Sequence, residues 1–203
     1  MKFTANLISV LFHPLLLPTY AFAIIMLSSP FTFGTFQDGL VGKNLLIVFI
    51  NTFCFPTLAI VLTKQIGLIK SITMPEGRER IVPFLTTGAF YVFAFMVFKK
   101  GLGAPYFLYV TILGAAITVF VCFFINIFVK ISVHTAGMGS LIALLVFASF
   151  ATDKNIIPII ALVIIIAGLV GSSRLYLGAH KNGELYFGYL AGFICQMVAF
   201  IVS

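Results

Sequence analysis

The chain has 203 residues, 62% of them hydrophobic, with 12 Lys and Arg and 5 Asp and Glu, whereas about a quarter of an ordinary soluble domain is charged. That balance excludes a water-soluble monomer. Three cysteines in apolar sequence, far from any CxxC spacing, point neither to a disulfide framework nor to a thiolate zinc site.

The charges fall in clusters and leave seven charge-free stretches, 3–37, 44–63, 81–98, 101–129, 131–152, 155–173 and 185–203. Each is long enough to cross a hydrocarbon core roughly 30 Å thick, which takes about 20 helical residues. Runs such as Leu141–Phe150 and Ile156–Leu169 do not alternate as barrel strands must, so the expected fold is all-α, one polytopic transmembrane helix bundle over 1–203 with about seven spans.

In chain order, the first span covers about 6–27. Pro14 and Pro18 predict a kink in it, and no small-residue cleavage pattern follows, so it is expected to be retained rather than removed as a signal peptide. A Ser/Pro/Phe/Gly loop at 28–42 leads to the second span, 44–63. The most charged segment, Lys64 to Arg80, precedes the third span, 81–98. Lys99, Lys100 and a Gly/Pro turn lead into the fourth, 105–129. The fifth runs from about 132 to 151, a polar turn at 152–155 opens the sixth, and the cluster Ser172 to Glu184 separates it from the seventh.

Counting crossings sorts these connections. With the amino terminus on face A, the segments 64–80, 130–134 and 172–184 all emerge on face A, and with them come Arg78, Arg80, Arg174, His134 and His180. His13 lies in the face-A half of the first span. Arginine offers a planar, permanently charged fork suited to phosphate, so three arginines beside two histidines point to an anionic ligand. The plainer alternative is a positive-inside loop signature with histidines at helix ends.

The local order of residues favours the first. Ser172-Ser173-Arg174-Leu-Tyr-Leu-Gly-Ala-His180-Lys-Asn-Gly-Glu184 resembles the third signature of the type-2 phosphatidic acid phosphatase family, SRxxxxxHxxxD, with Glu184 where the family has Asp. Ile131-Ser132-Val133-His134 resembles the second, PSGH, with its Pro and Gly replaced. Arg78-Glu79-Arg80-Ile-Val-Pro83, with Lys70 upstream, is the weakest match, to the first signature KxxxxxxRP. The resemblance covers about 64–192 and implies a six-helix core plus one further span. It also implies His180 as the nucleophile that becomes phosphohistidine, Glu184 as the carboxylate orienting it and His134 as the acid for the leaving oxygen. Arg174, Arg78, Arg80, Lys70, Ser132 and Ser173 would bind phosphate, and the substrate would be a lipid phosphate.

The residues themselves agree with that chemistry. At i, i+4 on a helix, Glu184 can accept one imidazole N–H and turn the other nitrogen outward. Ser132 stands where a helix begins, and free N–H groups there favour anions. Phosphoryl transfer rests on positioning and charge stabilisation, which Arg, Lys and N–H donors supply. No DDxxD, Walker motif or carboxylate cluster for Mg²⁺ occurs, so neither metal nor cofactor is expected, and membrane lipids rather than nucleic acid are the expected surroundings. Among the remaining polar residues, His13 reads as a hydrogen-bonded kink residue, Glu76 and Glu79 as partners of neighbouring arginines, and Gly137, Gly139, Gly188 and Gly192 as sites of close helix contact. Two other classes compete: a non-catalytic relative that binds or moves a lipid phosphate, and an intramembrane zinc hydrolase using His13, His134 and His180. The expected location is the cytoplasmic membrane of a bacterium. Eight basic residues on face A against four on face B shrink to five against four once the three arginines are set aside as phosphate ligands, so the orientation stays open.

Overall fold

The computed structural model describes residues 1–28, 40–71, 77–101 and 104–203. Glu76 and the side chain of Arg78 lie outside the described part, as does most of the 28–42 loop. The described residues form helices and connections, without a strand. In chain order these are α1 (Lys2–Leu11), α2 (Leu17–Ser28), α3 (Leu40–Phe49) running through a π-turn (Ile50–Cys54) into α4 (Phe55–Gln65), α5 (Ile81–Met96), α6 (Tyr106–Phe128), α7 (Val133–Phe150), α8 (Ile157–Tyr176) and α9 (Asn182–Val202). Among the described residues, six helical rods are long and apolar enough to cross a membrane, namely Val41–Gln65 and the rods beginning at Ile81, Tyr106, Val133, Ile157 and Asn182. The protein is therefore a multi-pass helical membrane protein. Phe128 and Phe150, each 85% exposed, belong to an outer surface that suits lipid and not water.

The first expected span is the exception. It forms two short helices of 10 and 12 residues with a break at 12–16. Pro14 has no N–H to continue α1, and Pro18 is tolerated in the first turn of α2 because an N–H there has no helical partner anyway. Single turns bridge the break, with Leu16 N–H donating to the His13 carbonyl (2.9 Å) and Tyr20 N–H to that of Leu16 (3.0 Å). The kink expected at Pro14 is thus a complete interruption, and it sets His13 between two helices.

Proline also shapes the second rod. The ring of Pro56 would collide with the carbonyl four residues back, Thr52. The π-turn at Ile50–Cys54 absorbs the conflict, and the Thr52 carbonyl accepts a hydrogen bond from the fully buried Tyr91 hydroxyl of α5 at 3.2 Å.

The closest packing is between α7 and α9, and glycine makes it possible. A Cβ on Gly192 would run into the Ala136 carbonyl, one on Gly188 into the Thr135 hydroxyl, and one on Gly139 into the Tyr189 carbonyl. Three of the four glycines read as close-contact positions serve this seam, while Gly137 lies against the Leu17 side chain of α2. At one end of the bundle Phe147 and Phe200 stack at 3.8 Å, and Tyr106 donates to the Phe200 carbonyl at 3.3 Å. The opposite end gathers the polar residues.

Candidate functional site

Ends of α1, α5, α6, α7, α8 and α9 meet at that polar end. α8 stops at Tyr176, and Gly178 adopts φ +64°, a left-handed conformation that glycine reaches without penalty. The reversal is closed by Ala179 N–H donating to the Arg174 carbonyl at 3.0 Å, and it brings His180 back beside Arg174. α7 begins after the extended Ser132, whose hydroxyl accepts from Thr135 N–H at 3.5 Å. Two bonds then hold the starts of α7 and α9 together: Ser132 N–H donates to the Glu184 carbonyl at 3.3 Å, and Lys130 Nζ donates to the Ala179 carbonyl at 2.8 Å. Arg80 enters from the start of α5, with Nη1 donating to Asn126 Oδ1 of α6 at 3.4 Å.

His13, Arg80, His134, Arg174 and His180 all line one cavity of about 230 Å³. Residues separated by up to 167 positions in sequence thereby share a wall. Deeper in, the cavity passes between apolar side chains including Leu17, Phe84, Leu141 and Leu144, and it reaches Tyr91 and Gln196 inside the bundle. Gln196, fully buried, accepts from Ser140 at 3.0 Å and donates to the Val110 carbonyl at 3.3 Å, so the inner polar wall is satisfied within the protein.

The imidazoles are held in different ways. His180 Nδ1 lies 2.7 Å from Glu184 Oε2, and a carboxylate there fixes the hydrogen on Nδ1 and leaves the Nε2 lone pair free. Burial pushes the His180 pKa below the ordinary histidine value, helped by the nearby Arg174 and Lys130 charges and opposed by the Glu184 hydrogen bond. The ring is therefore neutral at pH 7, which a nucleophile requires. His134 Nε2 donates to the Ser9 carbonyl of α1 at 3.1 Å, so Nδ1 is the nitrogen available to a ligand. His13 accepts the Leu15 backbone N–H on Nδ1 at 3.3 Å, and its ring meets that of His134 edge-on, with centroids 5.5 Å apart.

The arginines give this end of the cavity its charge. Arg174 and Arg80 both face the cavity, and Arg174 Nε is buried with no acceptor among the described residues. Two guanidiniums on one wall repel each other, and an unpaired buried donor is costly. Both conditions are relieved by an anion carrying several acceptor oxygens.

Of the residues singled out from sequence, Arg80, Arg174, His134 and His180 share the cavity wall, and Glu184 stands behind His180. Ser132, Ser173 and Lys70 are not on it. Ser132 is fully buried as the N-cap of α7, and the Ser173 hydroxyl donates to the Leu169 carbonyl one turn back at 2.8 Å. Lys70 is exposed, and its backbone N–H donates to the buried Glu79 at 2.9 Å. Arg78 falls outside the described side chains. His13 is the hydrogen-bonded residue at the chain break that the sequence suggested. The structure adds that its ring also lines the cavity, for which the available signal was its position before Pro14 in the face-A half of an apolar stretch. Sequence reasoning passed over Gln196, whose signal was an uncharged polar side chain inside a span. Among the described residues no group of three or more His, Cys, Asp or Glu is arranged to hold a metal ion, so the zinc alternative has no ligand set there.

No protein-family model, no curated protein and no solved structure matches the chain.

Proposed function

We propose that this protein is a membrane-embedded phosphatase for lipid phosphates, working through a phosphohistidine on His180. One observation carries the reading: His180, His134, Arg80 and Arg174, from three segments far apart in the chain, line a single cavity that continues between apolar side chains. That shape suits an amphiphile whose phosphate lies against the guanidiniums and whose hydrocarbon lies beside Leu17, Phe84 and Leu141.

In the proposed reaction the His180 Nε2 lone pair forms a bond to phosphorus while the bond from phosphorus to the leaving oxygen breaks. His134, protonated on Nδ1 and oriented through its Nε2–H on the Ser9 carbonyl, gives its Nδ1 proton to that oxygen. Water then attacks the phosphohistidine, neutral His134 Nδ1 takes the proton of the attacking water, and the His180 N–P bond breaks to release inorganic phosphate. Arg80 and Arg174 stabilise the charge on the equatorial oxygens throughout. The resemblance of 172–184 to the third signature of the type-2 phosphatidic acid phosphatases agrees with these roles.

A phosphate-release assay on purified protein, over a panel of phosphatidic acid, phosphatidylglycerol phosphate, lipid A and polyprenyl diphosphate substrates, tests the reading. Wild type releases phosphate from at least one, and His180→Ala abolishes release while the protein stays folded. Equal turnover in the variant refutes the mechanism. The second reading, a non-catalytic binder of lipid phosphate, is favoured by Val133 on the cavity wall, where the resembled motif has a glycine that lets backbone approach phosphate. A phosphohistidine trapped by acid-free quenching separates the two, because only the phosphatase forms one.

A further inference from the structure

The three imidazoles on the cavity wall differ in what they present to a ligand. His180 has its hydrogen on Nδ1, toward Glu184, and His134 has its hydrogen on Nε2, toward Ser9. In their neutral forms both therefore turn a lone pair to the cavity. His13 is the reverse. Its Nδ1 accepts the Leu15 N–H, so its hydrogen sits on Nε2 at the far edge of the ring. Among the described residues the sealed side-chain polar atoms without partners are Ser9 Oγ, Asn51 Oδ1, Glu79 Oε2 and Arg174 Nε. His13 Nε2 is not one of them and meets no acceptor among the described residues, so this donor is not sealed within the protein, and the ring that carries it lines the cavity. The lock comes from the chain break: only where Pro14 has interrupted the helix can the Leu15 N–H turn back to a side chain two residues before it.

We propose that His13 is a further ligand-binding residue of this pocket, a neutral imidazole that donates its Nε2–H to an oxygen of a bound phosphoryl group. A phosphoryl group in transfer spreads charge over three equatorial oxygens, and the wall then offers three donors for them: Arg80, Arg174 and His13. A neutral donor beside two guanidiniums holds the anion without adding a third fixed cation, and it leaves His134 as the imidazole that gains and loses the proton. The inference extends the phosphatase reading, from which the phosphoryl ligand is taken.

The test uses the full chain purified in detergent, with orthovanadate as the probe because its trigonal bipyramidal adducts mimic the transferring phosphoryl group. Titration calorimetry compares wild type with His13→Leu, which removes the donor, and His13→Gln, whose amide nitrogen can stand near the Nε2 position. His13→Leu is expected to weaken vanadate binding by about tenfold or more, the usual effect of losing a hydrogen bond to a charged group, while His13→Gln keeps most of the affinity. On a lipid phosphate that wild type turns over, His13→Leu lowers kcat by about 10²-fold with a smaller change in KM, and His13→Gln recovers part of the loss. Vanadate affinity and turnover at wild-type levels in a folded His13→Leu overturn the proposal. Should the leucine variant unfold, wild type labelled with ¹⁵N at histidine decides: the His13 Nε2–H resonance shifts when vanadate is added, and a resonance that stays in place overturns the proposal. Vanadate binding without phosphate release from any lipid phosphate would instead remove the phosphatase reading, leaving the role of His13 to the titration. No vanadate binding by wild type overturns both.

Discussion

At the scale of single residues, the pair His180 and Glu184 governs the proposed chemistry, because the 2.7 Å contact between them fixes which imidazole nitrogen is free. Glu184→Gln replaces an acceptor with an amide that can also donate, and the wrong tautomer then competes. The expected result is a fall in kcat of about 10²-fold or more in a phosphate-release assay, with little change in fold. The pH dependence follows from the direction of the His180 shift. Burial, Arg174 and Lys130 all favour the neutral ring, so its pKa lies below the ordinary histidine value of about 6.5. The neutral ring therefore predominates at pH 7, and the acid limb caused by protonating His180 lies below that of an exposed histidine. Any loss at higher pH belongs to His134, which must carry its proton in the first step. A kcat/KM profile from pH 4 to 8 checks this, and a midpoint above 6.5 counts against His180 as nucleophile. Ser132 illustrates the opposite outcome. As a buried N-cap, its loss in Ser132→Ala is expected to reduce thermal stability by about 0.5–2 kcal/mol with phosphate affinity largely kept, as shown by a melting curve and a binding titration on the same sample.

At the scale of elements, the α7–α9 seam sets the distance between the two motif histidines. Gly188 and Gly192 allow the helix backbones to touch, and the contact is tied at its polar end by the Ser132 and Glu184 backbones. A side chain inserted at Gly192 meets the backbone carbonyl of Ala136, which cannot turn aside as a flexible side chain would. Gly192→Val is therefore expected to lose about 1–3 kcal/mol of stability and to reduce activity together with it, measured by thermal unfolding in detergent and by turnover. The π-turn before Pro56 follows similar logic. Backbone that cannot close its own hydrogen bonds within a span needs another partner, and Tyr91 supplies one. Periodicity and length revealed the rods, but not this accommodation, since a π-turn has the same apolar composition as the helix around it.

At the scale of the whole molecule, the alternation of rods brings the 64–80, 130–134 and 172–184 segments to one end. Cysteines introduced singly at the exposed Lys130 and Lys181 are expected to react with an impermeant thiol reagent from the same side of a sealed vesicle. Cysteines at Lys99 and Lys154, also exposed, are expected to react from the other. Mixed labelling within either pair would dissolve the shared cavity, and the experiment also fixes which side of the membrane the site faces. The amino-acid sequence alone determined the helical membrane class, because so few charges over so much apolar length leave backbone groups no other way to bond within lipid. It also put His180 and Glu184 within reach of each other, because four residues is a short separation, although the helix starts later than expected and His180 lies just before the N-cap Lys181 of α9. Tertiary structure decided the rest. Whether a serine hydroxyl faces a cavity or caps a helix depends on the rotation of its rod, which is why Ser132 and Ser173 could not be separated from Arg174 by spacing. His13 became part of the pocket only because the chain broke at Pro14 and the two short helices settled against α7 and α8, contacts between parts of the chain more than a hundred residues apart that no local pattern encodes.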